Sequence, residues 1–177
     1  MFKKLMLALL VVIAALAVLI SLQPSAYRVS RSTTITATPQ QVFALIDNYR
    51  KWADWSPWAK LDPKMKVTYS GPESGADAVY HWTGNDDVGE GEMRTLESRP
   101  HEYVKIDLNF IKPFESKSLT EFKVMPEGTS TKVTWDMSGN ADFMMKAMGL
   151  FTNLDAMIGA DFEKGLAQMK KLAETQP

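Results

Sequence analysis

The sequence has 177 residues, of which 45% are hydrophobic and 23% are charged, a composition typical of one globular domain of ordinary size. Its 20 lysine and arginine residues nearly balance 21 acidic residues, so the composition lacks the strong positive charge that nucleic-acid-binding proteins use. The absence of cysteine excludes disulfides, thiolate metal sites, thiol nucleophiles and cysteine-linked lipid anchors.

The first predicted element is a membrane helix at the N-terminus. Residues 5–22 are apolar except for Ser21, and an α-helix of that length spans about 27 Å, close to the thickness of a bilayer core. This run is longer than the apolar region of a usual signal peptide, and a cleavage site ending at Ala26 would contain Pro24 where a small residue is normal. We therefore predict an uncleaved anchor and short linker in residues 1–26, rather than a signal peptide or the core helix of a soluble chain.

The orientation of the anchor is predicted from its early position and the lysines at its start. Lys3 and Lys4 precede the apolar run while Arg28 and Arg31 follow it, so the two flanks nearly balance. An early anchor that begins with lysines most simply leaves its N-terminus in the cytoplasm. This predicts a single-pass protein of the inner membrane whose soluble domain, residues 27–177, lies on the extracytoplasmic (periplasmic) side.

The elements predicted after the anchor follow an α+β order. Alternation and β-branched residues predict a strand at 27–37, and Thr38, Pro39 and Gln41 form the capping box of a short helix. A second short helix or turn follows. Alternating apolar residues then predict five or six antiparallel strands joined by short turns. From 150 to 172, apolar residues recur every three or four positions and predict one long amphipathic helix.

Several motifs in this order resemble a known superfamily. They are Ala37–Phe43, Trp55–Trp58, Tyr80–Trp82, Gly89–Met93, Lys112–Phe114, Thr131–Trp135 and Asp161–Leu166. Over nearly all of residues 27–174, the chain resembles the SRPBCC (START-like, helix-grip) superfamily, near its polyketide cyclase/dehydrase-like group. The resemblance implies a curved antiparallel sheet wrapped around a long C-terminal helix, with two short helices after the first strand. It also implies a pocket between sheet and helix, in a superfamily whose members range from lipid carriers to cyclases.

The strand alternation and the helix spacing indicate which side chains would line that pocket. The inward side of the sheet is rich in aromatic rings, and the C-terminal segment is rich in methionine, whose flexible side chain fits varied apolar shapes. The predicted ligand-binding set is Tyr80, Trp82, Met93, Phe110, Trp135, Met144, Met148, Phe151, Met157 and Phe162. The alternative is that these residues only pack the core, which inward aromatic residues more often do.

The histidines and the acidic cluster predict neither a metal nor a catalytic site. His81 alternates with Tyr80 and Trp82 and therefore faces solvent, while His101 follows a proline in a turn. The acidic residues between Asp86 and Glu92 lack the ligand spacing of a calcium loop, which favours a solvated turn. We predict no metal and no cofactor.

Three structural features are predicted from individual residues. Gly89 and Gly91 indicate a bulge or close packing in a curved strand rather than a nucleotide-binding loop. Arg31 shares the inward face of the first strand, which is unusual for a charged residue. We predict that it is an exposed arginine at the end of the strand rather than the partner of Asp161 or Glu163 in an ion pair. Three tryptophans are expected to seal the short helices against the sheet rather than to meet lipid: Trp52, Trp55 and Trp58.

These observations predict a membrane-anchored domain that binds a small hydrophobic or amphipathic ligand, such as a lipid, without catalysis. A polyketide cyclase or dehydratase is the first alternative, and it needs an acid or base in the cavity, for which Tyr80, Asp136 and Asp142 are the candidates. The second alternative is a scaffold without a ligand that acts through protein contacts at the membrane. No nucleic-acid partner is predicted.

Overall fold

The computed structural model describes residues 1–175, which form a seven-stranded antiparallel sheet and five α-helices. The helices are α1 (Phe2–Ser21), α2 (Pro39–Asp47), α3 (Trp52–Trp55), α4 (Phe143–Gly149) and α5 (Leu154–Thr175), with short 3-10 turns at Tyr49–Lys51 and Pro57–Lys60. The strands are β1 (Ala26–Ile35), β2 (Lys66–Ser70), β3 (Val79–Thr83), β4 (Glu90–Arg99), β5 (Tyr103–Lys112), β6 (Ser116–Glu127) and β7 (Ser130–Asn140). The predicted α+β helix-grip fold is confirmed.

Helix α1 contacts α4 but contributes no residue to the core. It is 20 residues long, has a mean hydropathy of 2.7 in its most apolar window and buries none of its residues. By length and composition α1 can cross a bilayer, and a signal sequence near an N-terminus would have the same properties.

The start of α2 follows from the residues that precede it. The Gln41 backbone N–H donates to Thr38 Oγ1 (3.3 Å), and Gln41 Oε1 accepts from the Thr38 backbone N–H (3.0 Å). Pro39 occupies the first helical position, where its missing N–H leaves no bond unmade. The capping box predicted from the sequence is therefore confirmed.

The sheet has two ends that differ in what they carry. The strand order is β1-β7-β6-β5-β4-β3-β2, all antiparallel, and Ala26 at the start of β1 pairs with Asn140 at the end of β7. By the same register, the β3–β4 turn (84–89), the β5–β6 turn (113–115) and the start of α4 lie at this end. We call it the α1 end, because α1 leads into β1 there, and we call the opposite end the far end.

Helix α5 lies across the inner face of the sheet and is fixed to β1 by ion pairs. Arg31 donates to Asp155 Oδ2 (3.0 Å) and to Glu163 Oε1 (2.8 Å). Further along the helix, Lys170 donates to the carbonyl of Thr34 (2.8 Å), so α5 runs from the α1 end toward the far end. The expectation that Arg31 is an exposed strand-end arginine is wrong. Its side chain is 23% exposed and pairs with two carboxylates of α5, one of them the Glu163 named as an alternative.

A short helix that the sequence analysis did not predict, α4, precedes the long C-terminal helix. Asp142 Oδ1 accepts from Met145 N–H (2.7 Å) and caps α4, while Asn153 Oδ1 accepts from Ala156 N–H (3.1 Å) at the start of α5. Each segment therefore has its own N-cap, and residues 150–153 turn between them. The predicted long C-terminal helix is confirmed, but it begins at Leu154 rather than at residue 150.

The short helices are sealed onto the sheet by tryptophan. Trp52 Nε1–H donates to the Ile46 carbonyl (2.8 Å), and Trp55 Nε1–H donates to the Leu45 carbonyl (2.8 Å). Both rings are nearly fully buried and pack against Phe122. The predicted sealing role is confirmed for these two residues.

On the outer face of the sheet, Asp136 is a carboxylate that is only 2% exposed. Burial alone would raise its pKa, but hydrogen bonds from Ser30, Arg28 and Lys123 outweigh burial and hold the pKa below its ordinary value. Arg28 Nη2 lies 3.0 Å from Oδ1, and Lys123 Nζ lies 3.2 Å from Oδ2. Asp136 therefore holds β1, β6 and β7 together as an ionised carboxylate.

Asp136→Asn should lower the free energy of unfolding at pH 7 by about 1–3 kcal/mol, because charged hydrogen bonds to a buried group are lost. A lowered folded-state pKa stabilises the protein above the unfolded pKa, and that contribution disappears as pH falls through the folded pKa. The difference in the free energy of unfolding between wild type and variant should therefore be largest at pH 7 and should decrease below about pH 4. Urea unfolding at pH 7 and pH 3 measures it. Asp86→Asn, an exposed change, is the control, and a gap that persists undiminished at pH 3 would contradict the ionic role.

Candidate functional site

A cavity of about 350 Å³ lies between the inner face of the sheet and the C-terminal helices. It occupies the half of the sheet nearer the α1 end, because the apolar side chains of α2 pack into the core over the far half. Its wall comes from β3, β4, β5, β6, β7, α4, α5 and the segment 52–65. The resemblance to helix-grip proteins implied a cavity in this place.

Most of the side chains predicted for the pocket lie around this cavity. The set comprises Tyr80, Trp82, Met93, Phe110, Trp135, Met157 and Phe162. Trp135 stacks on Phe162 with ring centroids 4.0 Å apart and planes 5° apart, which joins the sheet to α5. Trp82 is held by its Nε1–H bond to the Val88 carbonyl (2.9 Å), so both rings have fixed orientations.

Three of the predicted side chains lie elsewhere. Met144 and Met148 on α4 are each 45% exposed, and Phe151 in the following turn is 87% exposed. None of the three lines the cavity. Met144 and Met148 precede the helix predicted from residue 150, so no period assigns their directions, and Phe151 lies in the turn before α5.

The cavity wall also contains residues that the sequence analysis missed. Leu108 lies on the same face of β5 as Phe110, so the strand alternation already contained the signal for it. Met145 and Ile158 depend on the separate orientations of α4 and α5. Trp58 comes from a 3-10 turn, for which no periodicity indicates a direction, whereas Met65 directly precedes β2 and alternates with Val67 and Tyr69.

Few polar groups accompany the apolar wall. Tyr80 lies in it, and burial raises the pKa of its hydroxyl to about 12, so the group stays a neutral phenol at physiological pH. Thr120 is a nearly buried wall residue. The Trp135 indole Nε1–H is buried and has no hydrogen-bond partner in the part of the chain that the structure describes. An unpaired buried donor in a cavity wall is unusual, because such a group forfeits its bond to water without replacement.

The mouth of the cavity lies at the α1 end. The exposed wall residues are Asp87, in the β3–β4 turn, and Met157, in the first turn of α5. Met145 of α4 is partly exposed and also belongs to the wall. The opening is therefore bordered by the β3–β4 turn on one side and by α4 and the start of α5 on the other.

The acidic residues considered for catalysis do not line the cavity. Asp136 points to the outer face of the sheet, and Asp142 caps α4. His81 Nε2 lies 3.6 Å from Glu90 Oε1. His101, in the β4–β5 turn, packs its ring edge-to-face with Phe43 of α2. Within residues 1–175, no group of three histidine, aspartate or glutamate side chains is arranged to hold a metal ion.

Comparisons with known proteins agree with this architecture. Residues 26–174 match the family model described as polyketide cyclase / dehydrase and lipid transport. None of the curated proteins matches the sequence.

Solved structures share the fold at low identity. A protein from Chromobacterium violaceum is 14% identical with a TM-score of 0.61, over 87% of this chain and 100% of that one. The Aha1 dimer from Colwellia psychrerythraea is 14% identical with a TM-score of 0.60, over 84% and 97%. The di-domain ARO/CYC protein BexL from the BE-7585A biosynthetic pathway is 13% identical with a TM-score of 0.64, over 89% and 53%.

At these identities the solved structures establish the fold alone, and the family model, which covers residues 26–174, establishes the relationship. The chain belongs to the polyketide cyclase/dehydrase and lipid transport family.

Proposed function

We propose that this protein is a membrane-anchored binding protein for a small apolar or amphipathic molecule, such as a single-chain lipid. The observation that carries the proposal is the cavity of about 350 Å³, walled mostly by aromatic, methionine and other apolar side chains. This volume is near the lower end of the ~300–1,000 Å³ typical of ligand sites. It suits one acyl chain or a fused-ring molecule better than a phospholipid with two chains.

The wall chemistry supports an amphipathic ligand. Apolar contact with rings such as Trp82 and Phe110 would supply most of the affinity, at about 25 cal/mol per Å² of buried apolar surface before ordering costs. The neutral hydroxyl of Tyr80 is a donor suited to an oxygen acceptor on the ligand, and the unpaired Nε1–H of Trp135, which is buried in the wall, would become a second donor if the ligand displaces the side chains that cover it. Methionines at the mouth would adapt to differences in ligand shape.

The same wall favours binding over turnover. Tyr80, Asp87 and Asp161 are its titratable side chains among the described residues. With its pKa raised to about 12, Tyr80 is a poor general base near neutral pH. Asp87 is exposed at the mouth, and Asp161 is bound to Lys164 (2.9 Å). These features support a carrier or sensor, not a cyclase.

Helix α1 supports a location at the inner membrane. Its length of 20 residues and its apolar run after Lys4 match a bilayer core, and Lys3 and Lys4 at its start favour a cytoplasmic N-terminus with the domain on the extracytoplasmic side. An uncleaved α1 would keep the cavity beside the membrane that stores apolar molecules.

The experiment is native mass spectrometry of residues 24–177, followed by organic extraction and identification of bound molecules. Because α1 contributes no buried residue, this fragment keeps the whole core. We expect a stoichiometric apolar adduct, or uptake of one equivalent of a fluorescent fatty acid. A protein that is empty and also takes up no apolar probe would contradict the proposal.

A matched pair of variants ties the adduct to the cavity. Leu108→Trp fills the wall, whereas Leu96→Trp makes the same change at an exposed position of β4. We expect Leu108→Trp to weaken fatty-acid binding at least about tenfold, which corresponds to 1.4 kcal/mol, and Leu96→Trp to leave it unchanged. Equal affinities for the two variants would place the binding site outside this cavity.

A further inference from the structure

We propose that the α1 end of the domain is a membrane-docking surface that sets the mouth of the cavity against the bilayer. This inference rests on the proposed anchoring of α1 in the membrane. It adds a second contact, made by the folded domain itself, and a route by which a ligand enters from lipid rather than from water.

The connection to α1 keeps this end of the sheet close to the bilayer. Only residues 22–25 separate α1 from β1, so the reach from Ser21 to Ala26 is at most about 18 Å of extended chain. The linker is also tied to the domain, because the Ser25 carbonyl accepts from the Ala141 N–H (2.7 Å) just before α4. Helix α1 itself contacts α4. A domain suspended far from the membrane is incompatible with so short a connection.

Exposed apolar side chains are concentrated at that end. We call the following set the apolar collar: Ile111 and Phe114 at the β5–β6 turn, Phe143, Met144 and Met148 on α4, and Phe151 in the α4–α5 turn. Their exposure ranges from 41% to 87%. Side chains this large normally leave water, and a group of them at the rim of a soluble domain marks a contact surface.

The turns at the far end are different in character. They are the β2–β3 connection (71–78), the β4–β5 turn (100–102) and the β6–β7 turn (128–129), and they carry no large apolar residue. The asymmetry follows the anchor, not the fold class, because tight turns at either end of a sheet suit polar residues equally. The apolar collar therefore fits the acyl–headgroup boundary of the bilayer that α1 crosses, where rings and apolar chains are stabilised.

The mouth of the cavity lies within the same surface. Met145 belongs to the cavity wall while Met144 and Met148 of the same helix are exposed, so α4 lies between the cavity and the proposed bilayer contact. Asp87 and Met157 border the opening from the β3–β4 turn and from α5. A ligand that leaves the bilayer at α4 would enter the cavity without crossing bulk water, which removes most of the cost of exposing apolar surface.

The test uses single cysteines in the full chain, which has no native cysteine to interfere. Phe114→Cys and Phe143→Cys place a solvent-sensitive fluorophore in the apolar collar, and Met125→Cys places it near the far end. The three wild-type side chains have nearly equal exposure, at 57%, 55% and 57%. Each labelled protein is reconstituted into phosphatidylcholine/phosphatidylglycerol vesicles, with and without nitroxide-labelled lipid.

We expect nitroxide lipid to quench the labels at 114 and 143 at least about twofold more than the label at 125, with blue-shifted emission only at 114 and 143. Aqueous iodide should quench in the opposite order. Labels at 114 and 143 that respond to both quenchers as 125 does would overturn the proposal. Shielding that depends on protein concentration, but not on nitroxide lipid, would assign the collar to a second copy of the chain and would also overturn it.

Two further measurements separate this result from failure of the proposed function. Carbonate extraction of membranes tests whether α1 is an integral anchor, independently of where the labels lie. Fatty-acid binding by residues 24–177 with Phe114→Ser and Phe143→Ser tests the cavity without a membrane, and it should equal that of the unsubstituted fragment. Loss of binding in the unsubstituted fragment would count against the carrier function, and water-exposed labels on an integral protein would count against docking.

Discussion

Gly91→Ala should destabilise the domain by about 2–3 kcal/mol, because it overpacks a site where neither neighbour can move. A Cβ at Gly91 would collide with the benzo ring of Trp82 and would lie 2.6 Å from the backbone oxygen of Asn109. The oxygen belongs to the neighbouring strand, and Trp82 is fixed by its bond to the Val88 carbonyl (2.9 Å) and by the edge of Phe110, 5.6 Å away between centroids. Urea unfolding at pH 7 measures the loss.

The same substitution should also reduce ligand binding, because Trp82 can yield only toward the cavity that it lines. Gly149→Ala at the end of α4 is the matched control, since the nearest atom to the position of an alanine Cβ there belongs to Leu154, 4.0 Å away. We expect the control to change stability by less than about 0.5 kcal/mol. A Gly91→Ala protein as stable as the control would contradict this prediction, because it would mean that Trp82 can move away from the added Cβ.

The position of Gly91 illustrates what could be predicted from the sequence. The two glycines, Gly89 and Gly91, predict a bulge or close packing, and the β4–β5 register does shift between Glu90 and Gly91. Gly89 has a φ of +65°, which only glycine adopts without strain. The glycine itself therefore indicates close packing at position 91. The neighbour that excludes a larger residue there, Trp82, becomes known only from the pairing of β3 with β4.

The predicted ligand-binding residues lie around the cavity where the period of two applies. Tyr80, Trp82, Met93, Phe110 and Trp135 lie on strands, whose alternation assigns each side chain to one face. Met144 and Met148 lie before the predicted helix, on α4, which the sequence analysis did not predict, and Phe151 lies in the turn between α4 and α5. The apolar character of those residues was visible in the sequence. Their place outside the cavity, beside α1, required the topology.

Trp135→Ala should cost about 3–5 kcal/mol, the range for removing a large buried aromatic side chain. Trp135 is 2% exposed, stacks on Phe162 of α5 and lies 4.9 Å from Phe122 and 5.5 Å from Trp55 between ring centroids. It therefore joins the sheet, α3 and α5, and its loss should loosen α5 while adding its volume to the cavity. Urea unfolding should show the lost stability, and hydrogen exchange should show faster opening of α5.

The conservative variant Trp135→Phe separates the ring from its unpaired donor. The variant keeps an aromatic ring against Phe162 and removes the buried, unpaired Nε1–H. Because removing an unsatisfied donor offsets part of the lost packing, we expect the free energy of unfolding to fall by less than about 1.5 kcal/mol. Fatty-acid binding should nevertheless weaken if that N–H meets the ligand's oxygen, whereas binding of a pure hydrocarbon probe should not. Equal effects on the two probes would mean that the ring contributes shape alone, and the ligand's polar end would then be assigned to Tyr80 and the mouth.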